Sequence, residues 1–158
     1  MRRKFKLTIY VLLTAAIMAV IFYFSSQDAE RSKAVSNGLA HRLIELFSSV
    51  LPAVGRFLRN GENIRTVAHF SEYMCLGISS MLMFGEIFYS KAGRMRLSVS
   101  ASAVLCAVYA LSDEIHQIFV PGRAFQLVDL AVDLAGFAVG IALLTMIIKL
   151  TGASFNEQ

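Results

Sequence analysis

With 158 residues, of which 56% are hydrophobic and only 16% charged, the chain is too apolar for an ordinary soluble domain, since about a quarter of the residues are charged in such domains. The net charge of +4 does not indicate a nucleic-acid partner, because the basic residues are spread along the chain rather than gathered on one helix. Length and composition therefore predict a single membrane domain over residues 1–158 that contacts the lipid bilayer and no nucleic acid.

Four apolar stretches are each close to or above the roughly 20 residues that a helix needs to cross the hydrocarbon core. The first covers residues 7–24 and follows a basic start. A signal peptide begins in the same way, but this run exceeds the usual length of roughly 7–15 residues and no small-residue cleavage site follows it, so we predict a retained helix. The others cover residues 64–89, 97–119 and 125–150. Together they predict an all-α, integral membrane four-helix bundle.

The polar segment between Gln27 and Gly61 has apolar residues at spacings of three and four, as an amphipathic helix requires. These residues are Val35, Leu39, Leu43, Leu46, Phe47 and Val50. Pro52 and Gly55 are expected to end this helix. It is predicted to lie on the extracellular membrane surface between helices 1 and 2, either as a connector or as a lid over the bundle.

Basic residues near the helix ends predict the orientation, because cytoplasmic loops are enriched in lysine and arginine. The short loop between the second and third stretches contains Lys91, Arg94 and Arg96, and the N-terminus is also basic. We therefore expect this loop and both termini in the cytoplasm. The segment from Gln27 to Gly61 and the turn at 119–125 are then expected outside.

Ionisable residues are rare within membrane helices and usually indicate function. Here they concentrate in the outer part of three predicted helices, on faces that can converge inside the bundle. They are His69 and Glu72 on the second helix, Asp113, His116 and Gln117 on the third, and Asp129 and Asp133 on the fourth. Glu114 is predicted to point away from this convergence. Gly136 and Gly140 continue the face of the two aspartates and predict close packing against another helix.

Two arginines, Arg65 and Arg123, accompany this acidic layer. One interpretation is a network of buried salt bridges that holds the bundle together. The other is a site for a polar ligand, because buried ion pairs add little net stability and these groups outnumber what cohesion requires.

If the layer is a site, its residues suit two tasks. Histidines between carboxylates can act as general acids or bases, and the candidate catalytic residues are His69, Glu72, Asp113 and His116. Arginines can hold a phosphate or carboxylate through forked hydrogen bonds, and the candidate ligand-binding residues are Arg65, Gln117, Arg123, Asp129 and Asp133. A divalent metal on the two histidines and nearby carboxylates is an alternative, although no His-Glu-x-x-His signature is present. Ser25 and Ser26 are interpreted as helix-end or packing residues.

The stretch Asp-Glu-Ile-His-Gln-Ile-Phe-Val-Pro-Gly-Arg at 113–123, with the aspartates and glycines that follow it, resembles the signature of the VanZ-like family. Phe-Ser-Ser-Gln at 24–27 and Arg-Thr-Val-Ala-His-Phe-Ser-Glu-Tyr at 65–73 resemble the family's two other motifs, in the same order. Many members have Lys at the position of Thr66 and Asn at that of Asp133. These departures change the expected charge balance of the site.

The resemblance implies a protein of the bacterial cytoplasmic membrane with a role in the cell envelope. The name-giving member is associated with resistance to teicoplanin, a lipid-tailed glycopeptide that acts outside the membrane. Two functions are expected: binding of a lipid-linked envelope precursor or lipoglycopeptide in an outward-facing polar pocket, or enzymatic modification of an envelope lipid or polymer. A structural role in a membrane complex is a third alternative. A transporter is not favoured, because the polar layer does not extend into the inner half.

Overall fold

The computed structural model describes residues 2–32, 61–89 and 95–152, together with Ala34 and Gly38. The described residues form four long helices and no strand, which confirms the predicted all-α class. The helices are α1 (Arg2–Ser25), α2 (Gly61–Phe84), α3 (Met95–Gln117) and α4 (Leu127–Thr151). A π-helical turn over Gly85–Tyr89 continues α2.

Three helices in the described ranges are long and apolar enough to cross a membrane, namely α1 from Arg3 onward, α3 and α4. α2 has a comparable length of 24 residues but is not among the three. Its histidine, glutamate and serine residues lower its mean hydropathy. Three such helices are typical of a membrane protein, whereas a fourth crossing by α2 stays a prediction.

Most of the predicted amphipathic helix between Gln27 and Gly61 lies outside the described residues, including all six apolar residues on which the prediction depends. Within this segment, residues 29–32, Ala34 and Gly38 are helical. The extracellular position of the segment stays a prediction.

The helices alternate in direction along the chain. The Arg3 guanidinium at the start of α1 contacts Glu86 just beyond α2, with 3.3 Å between Nε and Oε1. At the other end of α1, the Ser25 hydroxyl donates to Asp113 near the end of α3 at 2.7 Å. We call the region around Ser25 and Asp113 the polar end, and the region around Arg3 and Glu86 the Glu86 end.

α2 contacts all three other helices and pairs most extensively with α4. A methyl group added at Gly136 would overlap the carbonyl oxygen of Phe70, and one added at Gly140 would overlap that of Met74. The predicted glycine stripe is therefore confirmed as a packing surface. Because lipid chains are as apolar as side chains, such close backbone contact supplies much of the attraction between membrane helices.

Between the two ends, the helices enclose an apolar core. Its buried members are Ile21, Tyr73, Leu76, Met81, Cys106, Ala110, Phe137 and Ile141. Large apolar side chains also face outward, among them Leu12, Val108 and Leu150. This inverted exposure suits a surface that contacts lipid rather than water.

After α3, backbone hydrogen bonds between residues three apart form a series of tight turns that positions Arg123. The amide nitrogens of residues 118–120 bond to carbonyls three residues earlier, which ends the α-helix at Gln117. The Arg123 amide then donates to the Val120 carbonyl at 3.1 Å, with Pro121 and Gly122 between them. Gly122 has a φ of 74°, as the third position of a type II turn requires.

Candidate functional site

A partly open cavity of about 170 Å³ lies at the polar end, between the end of α1, the start of α2 and the turn after α3. Its walls combine apolar, hydroxyl and charged side chains. They are Phe24, Ser25, Gln27, Ser32, Ile64, Arg65, Ala68, His69, Glu72 and Arg123. The structure therefore places four of the predicted site residues around one space.

Arg65 reaches from α2 to α4 and is anchored at one side of its guanidinium group. Its terminal nitrogen lies 2.7 Å from Asp129 Oδ2 and 3.4 Å from the side-chain oxygen of Gln117. Its Nε is buried and has no hydrogen-bond partner in the described part of the chain. Asp129 and Gln117 thus hold the arginine in place while one of its donors stays unused.

Arg123 approaches the same cavity from the turn after α3. Its terminal nitrogen donates to the Phe24 carbonyl at 3.3 Å, and its buried Nε also lacks a partner among the described residues. Burial, and secondarily the neighbouring Arg65 guanidinium, lower the pKa of Arg123 from its ordinary value. Two guanidinium groups with unused donors beside one cavity favour an anionic ligand.

His69 and Asp133 form a buried pair between α2 and α4. Nδ1 of the imidazole lies 3.1 Å from Asp133 Oδ1, and Asp133 is fully buried. Such a contact fixes the ring orientation and leaves Nε2 as the other functional nitrogen. Because His69 also borders the cavity, Nε2 is the nitrogen that remains for a bound molecule.

Asp133 also belongs to a cluster of three carboxylates. Asp113 and Glu114 of α3 and Asp133 of α4 each offer one oxygen within 4.8 Å of the others. All three side chains are at most 3% exposed. Two groups that are not part of the cluster donate hydrogen bonds to it. The Ser25 hydroxyl donates to Asp113, and the Gln126 amide at the start of α4 donates to Glu114 at 2.9 Å.

The prediction that Glu114 points away from the convergent residues is wrong, because its side chain is 0% exposed and belongs to the carboxylate cluster. Glu114 lies four residues after the buried Ala110 and three residues before the buried Gln117, so it belongs to the one buried stripe of α3. Ser25 was interpreted as a packing residue, yet its hydroxyl contacts Asp113. Its presence in the Phe-Ser-Ser-Gln motif was the signal that could have identified it.

His116 lies apart from the other candidate catalytic residues. It is half-buried, with Nε2 3.2 Å from the Ser26 hydroxyl and its ring centroid 4.7 Å from that of Phe22. It does not line the cavity. The structure therefore does not bring His69 and His116 into one metal set; within the described ranges, the group that could hold an ion consists of the three carboxylates.

An apolar groove of about 350 Å³ between α1 and α2 adjoins the cavity. Its lining residues are Ala16, Ile17, Val20, Ile21, Ser71, Glu72 and Cys75. Glu72 borders both spaces, so the polar cavity and the apolar groove share one wall.

The described residues form helices without strands, and three of these helices are long and apolar enough to cross a membrane. With a polar cavity at one end, they define a helical membrane protein. Residues 10–149 match the family model described as VanZ/LLP1, and the chain belongs to this family. The match confirms the resemblance predicted from the three motifs. No curated protein and no solved structure is significantly similar to the chain.

Proposed function

We propose that this protein is a bundle of four membrane-spanning helices in the bacterial cytoplasmic membrane that binds an anionic, lipid-tailed molecule at its outer face. Its ligand is a lipid-linked envelope component or a lipoglycopeptide. The observation that carries the proposal is the pair of arginines that line one cavity, Arg65 and Arg123, each of which retains a buried guanidinium Nε without a partner in the described part of the chain.

The arginines support binding of an anionic headgroup. Asp129 orients the Arg65 guanidinium, and the Phe24 carbonyl orients that of Arg123. A planar guanidinium that is already held in position loses little conformational entropy when it donates to a phosphate or carboxylate. The volume of the cavity, about 170 Å³, suits a headgroup, and the rest of a larger ligand would extend from the open side of the cavity.

The groove between α1 and α2 supports a ligand with an apolar tail. It borders the polar cavity at Glu72 and is otherwise lined almost entirely by apolar side chains. A molecule anchored in the bilayer could place its chain in this groove while its headgroup contacts Arg65 and Arg123. A freely soluble anion would use the cavity alone, so the groove favours the lipid-tailed class.

The orientation rests on the basic residues near the Glu86 end, which favour the cytoplasm. If α2 is the fourth helix to cross the membrane, the polar end faces outside. The 24 residues of α2 span about 36 Å at about 1.5 Å per residue, which is enough for the hydrocarbon core.

A second candidate function, enzymatic modification of an envelope lipid or polymer, is favoured by the pair of His69 and Asp133. A carboxylate on Nδ1 holds an imidazole with Nε2 directed to a substrate, as general-base catalysis requires. In this alternative, the arginines bind the anionic part of the substrate and His69 moves the proton.

Arg123→Lys tests the proposal. Lysine keeps the positive charge but removes the donor geometry of Nε, so we expect at least a tenfold loss of binding with normal folding. Binding of teicoplanin to purified protein in nanodiscs, lipid mass spectrometry of co-purified molecules and lipoglycopeptide susceptibility of expressing cells supply the measurements. Arg31→Lys is the matched control, because Arg31 is an exposed arginine at the same end. Equal loss in both variants, or unchanged binding in Arg123→Lys, would contradict the proposal.

His69→Gln distinguishes binding from catalysis. Glutamine preserves a hydrogen bond to Asp133 but cannot accept and release a proton near neutral pH. Retained ligand binding and retained resistance support the binding protein. Retained binding together with loss of resistance and of any modified lipid supports the enzyme.

A further inference from the structure

We propose that Asp113, Glu114 and Asp133 form a site for a divalent cation of the size of calcium, directly behind the cavity. This inference does not depend on which molecule the cavity binds. It also differs from a metal site built on histidines, because all three ligands are carboxylate oxygens.

Each carboxylate has one anchored oxygen and one unused oxygen. Asp113 Oδ2 accepts from Ser25, Glu114 Oε2 accepts from the Gln126 amide, and Asp133 Oδ1 contacts His69. The second oxygens of the same three groups, Asp113 Oδ1, Glu114 Oε1 and Asp133 Oδ2, are buried and without a partner among the described residues. Buried polar atoms are nearly always satisfied, so three such oxygens in one cluster indicate a missing partner.

The ligand oxygens and spacing of the cluster suit a calcium ion. Calcium binds oxygen at about 2.3–2.6 Å, so two oxygens on opposite sides of the ion lie up to about 5 Å apart. The ligand oxygens of the cluster lie within 4.8 Å of one another. Magnesium usually keeps several of its waters, whereas calcium accepts sites built largely from protein oxygens. An all-oxygen set also disfavours zinc, which usually takes histidine or cysteine ligands.

The charge of the cluster leads to the same conclusion. Three carboxylates are buried together, and the His69 imidazole contacts one of them. A buried charge is strongly destabilising unless it is neutralised by a partner or by protonation. A divalent cation would offset most of the negative charge of the three carboxylates. Glu114 is further stabilised by its position at the N-terminus of α4.

A cation in this position would also organise the cavity. Ser25 and His69 each line the cavity and contact one of the three carboxylates. They therefore separate the cation site from the cavity. Occupancy of the cluster is expected to hold both side chains in their present orientation.

The test uses the full chain, purified in detergent and stripped with a chelator. The chain has no Trp and five Tyr, and Tyr73 is fully buried within electrostatic reach of all three carboxylates. Terbium, a luminescent substitute for calcium, should therefore emit when tyrosine is excited, and calcium should displace it. Calcium should also raise the Tm. Glu114→Gln should weaken calcium binding at least tenfold, because it removes a charged ligand.

Glu86→Gln is the matched control, because Glu86 is a glutamate buried to 1% exposure at the opposite end. It should keep the calcium response. If Glu114→Gln fails to fold, Tyr73→Phe replaces it, and it should keep the calcium-dependent rise in Tm while losing part of the terbium emission, because Tyr109 also lies within reach of Asp113. Absence of both signals in the native protein overturns the proposal, as does unchanged binding in Glu114→Gln or unchanged emission in Tyr73→Phe. A higher Tm of Glu114→Gln without any calcium response indicates carboxyls that share protons, and it overturns the proposal too.

Discussion

The two ends of the molecule both bury ionisable residues, but they satisfy them differently. At the Glu86 end, Arg3 contacts the Glu86 carboxylate through Nε and donates to the Glu86 carbonyl oxygen at 2.7 Å. One acid is thus matched by one base. At the polar end, carboxylates outnumber arginines, and three of the carboxylates lie together in one buried cluster. Burial of charge alone does not indicate a site; a local excess of buried carboxylates does.

The membrane topology of the two ends is the prediction with the largest expected effect, because each end lies either in the cytoplasm or outside. Reporter fusions should place the loop around Arg94 in the cytoplasm and the turn from Val120 to Arg123 outside, as expected from the basic residues. Fusions at both positions in the same strain background control for expression. An extracellular signal at Arg94 would place the polar end in the cytosol, out of reach of an external lipoglycopeptide.

Gly140→Leu should have the next largest effect, since the new side chain would overlap the Met74 carbonyl oxygen. Backbone cannot yield as a flexible side chain does, so we expect destabilisation of about 3 kcal/mol or more and little folded protein. Val139→Leu is the control, because Val139 is exposed on the same helix. Size-exclusion profiles and yields measure the result. A normal yield of Gly140→Leu would mean that α2 and α4 are not in backbone contact.

Arg3→Met should affect stability but not function. The substitution removes the cationic partner of the buried Glu86. Because the Arg3 side chain is 44% exposed and therefore partly screened by water, we expect the free energy of unfolding to fall by only about 1–2 kcal/mol. Thermal unfolding in detergent measures the loss, with Lys4→Met as an exposed control. Ligand binding per folded molecule should stay unchanged. Loss of binding in a fully folded variant would show that the Glu86 end is also functional.

His116→Gln should have the smallest effect. His116 contacts Ser26 and Phe22 at the margin of the polar end and does not line the cavity. Losing the ring contact should destabilise the protein by no more than about 1 kcal/mol. Binding and resistance should remain near those of the native protein, whereas His69→Gln tests the central histidine. Abolished binding in a folded His116→Gln variant would require a site that extends beyond the cavity.

Hydropathy predicted all four helices to within a few residues, and the differences have local causes. The third was expected over 97–119 but ends at Gln117, because the following amides bond to carbonyls three residues earlier. Hydropathy does not distinguish these turns from an α-helix. It also could not establish whether α2 crosses the membrane, since the residues that form the cavity reduce its apolar character.

Spacing along the helices placed His69 and Asp133 on inward faces, and the same rule also covers Glu114. A spacing of three or four identifies residues that share one face of a helix, and Glu114 lies three residues before the buried Gln117. The prediction for Glu114 was wrong because it took the buried face from Asp113 alone. Ser25 was missed for a different reason, because a hydroxyl can satisfy its own helix backbone or reach another side chain, and the sequence is the same in both cases.

The contacts between α2 and α4 also limit how these helices can change in length. Arg65 pairs with Asp129 and His69 with Asp133, and the glycine contacts continue the same parallel register. One residue inserted between Asp133 and Gly136 would rotate the rest of α4 by about 100° and turn both glycines away from α2. Insertions and deletions should therefore be excluded between Asp129 and Ile148, which is also buried, whereas the end of the helix beyond Ile148 can change length.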